Sequence, residues 1–428
     1  MSLATEHHEA DAPIVLEKVA VRSWKAPIAF GIFTVIAILM FVVWHREGDA
    51  TFRLSNDNDF IQLPTVVLSS VATGIVVTIL LAAITGLSAY LATQARKVPL
   101  WLIALFGVLF MVGFLSWAAA GKALPISGLL VGSVALSVPL IFGALGGVIT
   151  ERVGVVNVAI EGQLLAGAFV SAFVASITGN AVVGLLAAMV AGVLVSFVLA
   201  AFSIKYLVDQ VIVGVVLNVL VTGLTSFLYS QVLSKNEALF NAPVKFPRIN
   251  IPILSEIPLI GPALFRQTII VYLMYIAVVV VFFCLFYTRW GLRLRAVGEH
   301  PQAADTVGIN VNRTRFWNVS LAGAIVGLGG AYFTLGSGLA FNKEMTAGAG
   351  YIALAAVIFG RWDPLKATLA ALLFGFTQNL QFALSAIGSP VPSQFMLMLP
   401  YVVTIFAVAG LVGVSRGPAA SGKPYVKG

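Results

Sequence analysis

Apolar runs of about twenty residues recur along nearly the whole of this 428-residue chain, and each is long enough to cross a bilayer. In hydrocarbon every backbone N–H and C=O must be satisfied within the protein, so a span is either a helix or a strand of a closed barrel. These runs are continuous rather than alternating in segments of about 10 residues, which selects helices. Up to twelve spans are predicted, near 26–44, 66–92, 99–119, 127–150, 155–177, 181–204, 211–232, 268–288, 316–337, 346–360, 367–388 and 395–415. The predicted fold is therefore an all-α polytopic membrane helical bundle of about 10–12 transmembrane segments. Only 10% of the residues are charged, against about 25% in a soluble domain. The run at 346–360 is short, and the 127–177 region has room for a broken or re-entrant helix.

The positive-inside rule sets an orientation. With both termini cytoplasmic, 17 of the 25 Lys and Arg fall in inner segments. The expected organisation is a cytoplasmic tail over 1–25, an N-terminal transmembrane extension over 26–125, a transmembrane core over 126–415 and a second tail over 416–428. Both tails are expected to be mobile. The first apolar run lacks the short core and small-residue cleavage site of a secretory signal and reads as a retained helix. The net charge of +8 is accounted for by topology and anionic inner-leaflet lipid, with no nucleic acid required. The Pro-rich stretch 233–267 is too apolar for a spacer and is expected to pack on the outer face.

The search for catalytic chemistry comes back empty. The single cysteine, Cys284, excludes intrachain disulfides and Cys-based metal sites. His7, His8, His45 and His300 have neither metal-site nor triad spacing. Gly417 to Lys423 matches a phosphate-loop pattern, but Pro424 stands where a magnesium-holding hydroxyl belongs, and no strand precedes it. No catalytic residue, metal or cofactor is predicted.

Two polar segments stand out. Ile149 to Phe169 (ITERVGVVNVAIEGQLLAGAF) places Asn157, Glu161 and Gln163 in apolar surroundings. An ionisable group at membrane depth costs about 3 kcal/mol, so it faces a cavity or a partner. Gly154 and Gly162 can bracket an unwound turn, and on an intact helix Asn157 and Glu161 share a face. Asn218 and Gln378 join them as candidate pathway residues, with Gln210, Asn379 and Gln381 of the same character. For each one singly, helix–helix tethering is the competing reading. The second segment, Gly291 to Asn310 (GLRLRAVGEHPQAADTVGIN), is basic, too long for a turn and too apolar for filler. It reads as a short helix on the inner surface. Gly291 and Gly298 permit chain entry and a turn, Pro301 can open a helix, and Ala303, Ala304 and Val307 offer a small apolar face.

Together with Asp209–Asn218 (DQVIVGVVLN) and Gly348–Pro364 (GAGYIALAAVIFGRWDP), these segments resemble permease subunits of ABC importers in the branched-chain amino acid and simple-sugar superfamily. The Asn157–Gln163 run most resembles the nucleoside branch, which depends on a BMP-type lipoprotein. The likeness covers roughly 125–415 and leaves the N-terminal extension unexplained. It implies a multi-pass protein of the bacterial inner (plasma) membrane. It further implies a cytoplasmic ABC ATPase, a second permease subunit in a heterodimer, an extracytoplasmic substrate-binding lipoprotein and surrounding membrane lipid as partners. Segment 289–315 would be the coupling element, with Gly291, Arg293, Arg295, Gly298, Glu299, Pro301, Ala303, Ala304 and Gly308 meeting the ATPase. A simple-sugar permease is the near alternative, and an ion-coupled secondary transporter the remoter one.

Overall fold

The computed structural model describes residues 23–55, 60–389 and 417–427, with Pro392, Gln394, Phe395 and Met398 besides. Ten helices among the described residues are long and apolar enough to span a membrane. Three of them, α1 (Lys25–Val43), α2 (Ser70–Thr93) and α3 (Leu100–Ala118), build a first compact unit. Its core is aromatic, with Phe30 stacked on Phe106 at 4.2 Å and Phe41 seated against Gly74 and Gly113.

The second unit holds α4 (Ile126–Arg152), α5 (Ile160–Thr178), α6 (Ala181–Lys205), α7 (Gln210–Leu233), α8 (Ile269–Tyr287), α9 (Arg289–Glu299), α10 (Pro301–Thr306), α11 (Val311–Gly336), α12 (Ala349–Phe359) and α13 (Pro364–Ala386). Helix starts follow local capping chemistry. Asn180 accepts from the amides of Val182 and Val183, and Asp209 from those of Val211 and Ile212. Asp363 caps α13 with Pro364 in its first turn, where a missing N–H costs nothing.

Small residues bring the helices together. Gly323 and Gly327, a GxxxG pair, are used inside the chain: a Cβ on Gly323 would strike the Gly192 carbonyl and the Ser196 hydroxyl of α6, and one on Gly327 the Ala188 carbonyl. Overpacking costs about 1–3 kcal/mol, and here the obstacle is backbone. Gly323→Leu is therefore expected to lower the thermal midpoint of the purified protein by at least about 5 °C. A midpoint within about 1 °C of wild type would show that α6 and α11 do not depend on this contact.

Two expectations about spans need revision. The run near 346–360 is the eleven-residue α12, about 16 Å long and too short to cross a hydrocarbon core of about 30 Å. The run near 155–177 is helical only from Ile160, because Gly154 takes a left-handed φ of +90° and residues 153–159 leave the helix. Asn157 and Glu161 are thus not on one helical face. Of the span near 395–415 only Phe395 and Met398 are described.

The interruptions meet at one level. Gly143 of α4 packs on Ala353 and Ile160, and Gly147 on Val357 and Ile160. So α12 runs parallel to the second half of α4, and α5 begins beside the middle of α4 rather than its end. The irregular run 153–159 is mostly buried in protein, the setting in which non-helical backbone is tolerated at depth.

Residues 233–267 pack as expected of a folded loop. Asn241 and Phe341 exchange two hydrogen bonds of 3.0 and 2.8 Å, and the Phe246 amide donates to the Leu335 carbonyl. The C-terminal stretch 417–427 does not match the expectation of a mobile tail. It lies along the end of the bundle that carries α9 and α10, with the Ala420 amide donating to the Gly298 carbonyl at 2.9 Å.

Candidate functional site

Glu161 sits in the first turn of α5, and its carboxylate faces the start of α12. One oxygen accepts from the Thr346 hydroxyl at 2.6 Å and the Gly348 amide at 2.9 Å; the other accepts from the Gly350 amide at 2.6 Å. A helix N-terminus carries unsatisfied N–H groups and about half a positive charge. A carboxylate from another helix supplies both missing counterparts. Gly350 has no Cβ because one would strike the backbone of Glu161, and Gly348 holds a left-handed φ of +83°.

Around this contact lies a mostly closed amide network. Asn218 on α7 accepts from the Gly162 amide at 2.8 Å and donates to the Val158 carbonyl and the Tyr351 hydroxyl. Asn157 donates to Gln163, which donates to Ser196 on α6. Gln210 accepts from the Val156 amide. Of the predicted pathway residues, then, Asn157, Glu161, Gln163 and Asn218 are brought together, all buried. Gln378 is half-buried on α13, away from this network, whose bonds run among α5, α6, α7, α12 and the 153–159 run.

Three features leave the network open. The Gln210 side-chain nitrogen is buried without a hydrogen-bond partner. The Asn157 side-chain oxygen is fully buried without a hydrogen-bond partner. Tyr351, in the first turn of α12, is 48% exposed although its hydroxyl meets buried Asn218. Reasoning from polar residues inside apolar runs passes over Tyr351 and Thr346. The signal that finds them is the Gly-rich lead into an apolar run too short to span.

The other end of α12 leads to the end of α4, on which the polar insert rests. The Trp362 indole N–H donates to Glu151 at 2.6 Å, and Arg152 donates to the Trp362 carbonyl at 3.0 Å. Arg361 and Trp362 both take left-handed φ values, 54° and 55°, so the chain turns sharply here. Gly298 lies against the Arg152 carbonyl so closely that no Cβ fits, which fixes α9 on the end of α4.

The insert is two helices, not one. The Thr288 hydroxyl accepts from the Gly291 amide at the start of α9. The residue before a proline is pushed to extended backbone, so His300 breaks the chain and Pro301 starts α10. Leu294 and Val297 are buried, while Arg293 is exposed and Arg295 lies over the Phe286 ring at 5.3 Å. Ala304 is also buried, at 3% exposure, so it does not share the outward face expected of it. That face consists of Gln302, Ala303, Thr306 and Val307, the last 75% exposed. Gly308, at φ +85°, ends α10.

The C-terminal stretch ties this end together. The exposed Glu299 carboxylate accepts from the Ala419 amide at 3.2 Å. Arg315, 2% exposed, donates to the Lys423 carbonyl, while its Nε and Nη2 have no hydrogen-bond partner. Burial and a hydrogen bond to Asp305 hold the Tyr425 hydroxyl above its ordinary pKa. The segment that resembled a phosphate loop is thus a packing element, with Gly417 against the Trp362 ring.

A family model described as "Branched-chain amino acid transport system / permease component" matches residues 129–408. The guanosine ABC transporter permease protein NupQ of Bacillus subtilis is 40% identical over 299 residues, 68% of this chain and 93% of the relative. The nucleoside ABC transporter permease protein NupC of Lactococcus lactis is 38% identical over 301 residues, 68% and 94% of the two chains. A putative glucose ABC transporter permease protein, TsgC13 of Haloferax volcanii, is 36% identical over 259 residues, 60% and 77% of the two chains. No solved structure matches.

Proposed function

This chain belongs to the family of branched-chain amino acid transport system permease components, and on that footing we propose that it carries nucleosides across the plasma membrane as one permease subunit of an ATP-driven importer. The guanosine and nucleoside permeases support that substrate class, each over more than nine-tenths of its own length. The orientation read from Lys and Arg places α9 and α10 in the cytoplasm. There a separate ABC ATPase supplies the energy and docks on the face formed by Gln302, Ala303, Thr306 and Val307. A binding lipoprotein delivers substrate at the opposite side. A second permease subunit covers the mid-bundle site where Tyr351 and the exposed α7 residues Val215 and Val219 leave it open.

The observation that carries this reading is the path of α12. Its first turn is held by Glu161 in the middle of the bundle, and its last residues lead to Trp362, bonded to the α4 end on which α9 rests. A short rigid helix with one end in the pathway and the other at the docking element transmits a push with little loss. Closure of the ATPase dimer displaces α9 and α10, α12 shifts with them, and the contacts among Glu161, Tyr351 and Asn218 change on the substrate side.

Uptake of labelled guanosine, adenosine and ribose in a deletion strain, with and without this chain, tests the substrate class. Nucleoside uptake should require the chain. Ribose uptake without nucleoside uptake would favour the sugar reading, to which the Haloferax relative gives weight. Stacking of a base on an aromatic ring is worth about 1–3 kcal/mol. Tyr351→Ala is therefore expected to reduce nucleoside uptake at least about fivefold at equal abundance in the membrane. Unchanged uptake would remove Tyr351 from the pathway.

A further inference from the structure

Beside the docking element lies a cavity of about 530 Å³, remote from the Glu161 site. The last turns of α6, the first turns of α11 and the end of the C-terminal stretch form its walls. Ile204, Phe316 and Trp317 line its apolar part. Lys205, Arg313 and Lys427 add three cations, and no carboxylate is among the lining residues.

The order of these groups along each helix is informative. Arg313 lies within the first turn of α11, and Phe316 and Trp317 follow one turn deeper, about 5 Å along the axis. On α6, Lys205 closes the helix, with Ala200 and Ala201 one turn deeper. Cations therefore stand at the helix ends and apolar surface stands inward of them on both walls. Lys205 also lies over the Tyr206 ring at 5.7 Å, and Tyr206 and Trp317 are both exposed, as aromatic residues are at a membrane–water interface. A free anion would need the cations but not the apolar wall. A neutral lipid would need the wall but not the cations.

We propose that this cavity is a binding site for one anionic phospholipid, its phosphate between Lys205, Arg313 and Lys427 and an acyl chain along Phe316 and Trp317. Basic pockets between membrane helices recognise acidic headgroups in this way. Tyr425 and Val426 are part of the cavity wall, and the same stretch bonds Gly298 and Glu299 through Ala420 and Ala419. A seated lipid braces the C-terminal stretch and, through it, the docking helices. The site depends on neither the substrate nor the ATPase; the proposed orientation supplies only the leaflet.

The full chain, purified in detergent, is exchanged into nanodiscs of phosphatidylglycerol or of phosphatidylcholine, and lipid retained after delipidation is measured by native mass spectrometry. Each cation near an acidic headgroup strengthens binding by roughly fivefold. Wild type should retain one phosphatidylglycerol and no phosphatidylcholine. The double variant Lys205→Glu, Arg313→Glu, both positions being exposed, should retain at least about tenfold less. Equal retention of the two lipids by wild type would overturn the proposal, and that arm decides even if the variant fails to insert. Equal retention of phosphatidylglycerol by variant and wild type would also overturn it. So would displacement of the lipid by millimolar inorganic phosphate, which would mark a site for free anions.

Discussion

Replacing Ala303 and Val307 together with Asp should leave the chain in the membrane and reduce nucleoside uptake by the assembled transporter at least about tenfold. Both side chains are exposed. Truncating or leaving unpaired a charge buried in an interface costs about 2–5 kcal/mol, and two new carboxylates on the proposed docking face would meet that cost if the ATPase seats there. Abundance should stay within about twofold of wild type, because exposed substitutions shift stability by only about 0.5 kcal/mol. Ala304→Asp is the contrast. Its site is buried, so the charge acts on folding, and abundance should fall along with uptake. Normal uptake by the Ala303, Val307 double variant would dismiss α10 as the docking surface, whatever the fate of the Ala304 variant.

Glu161→Gln should reduce uptake at least about fivefold more than it reduces abundance. The carboxylate accepts three hydrogen bonds, from Thr346, Gly348 and Gly350, and faces the positive end of α12. The amide keeps the shape but turns one acceptor into a donor that opposes an N–H or O–H. It also removes a charge whose interaction with a helix end is worth up to about 2 kcal/mol in a partly buried setting. Unsatisfied buried donors cost about 1–3 kcal/mol each, so Glu161→Ala, which strands all three, should lose most of its folded protein. The glutamine variant separates the two roles of this residue. If uptake and abundance fall in parallel, Glu161 is a tether alone. A larger loss of uptake places it where α12 transmits motion.

Much of the fold is legible in the chain because its determinants are local. Hydropathy over about twenty residues marks each span. Asn180, Asp209 and Asp363 mark helix starts, and Gly154 marks the place where the chain leaves α4. The 346–360 run stands out as short, but only the structure reduces it to eleven helical residues. The polar insert declares itself by composition, and Pro301 by its stereochemistry. What is not legible is direction. The three-residue spacing of Ala304 and Val307 would place them together on one regular helix. They part because α10 spans only Pro301–Thr306, while Ala304 packs into the core. Tyr351 carries no signal of its own, being one aromatic residue among many; only the Gly-rich lead into a short apolar run points to its place.

The sequence by itself determined that this chain is a bundle of membrane helices with one polar insert and room for a break near Glu161, since each of these is a property of a short window. Only the tertiary structure decided that Glu161 caps α12, that α12 links the mid-bundle site to the insert, and that residues 417–427 bind the insert instead of trailing from it. The bond between Glu161 and Gly350 joins residues 189 apart in the chain. A contact over such a separation is set by how glycine-lined helices pack, and no local pattern of hydropathy or capping encodes which helix end a buried carboxylate will meet.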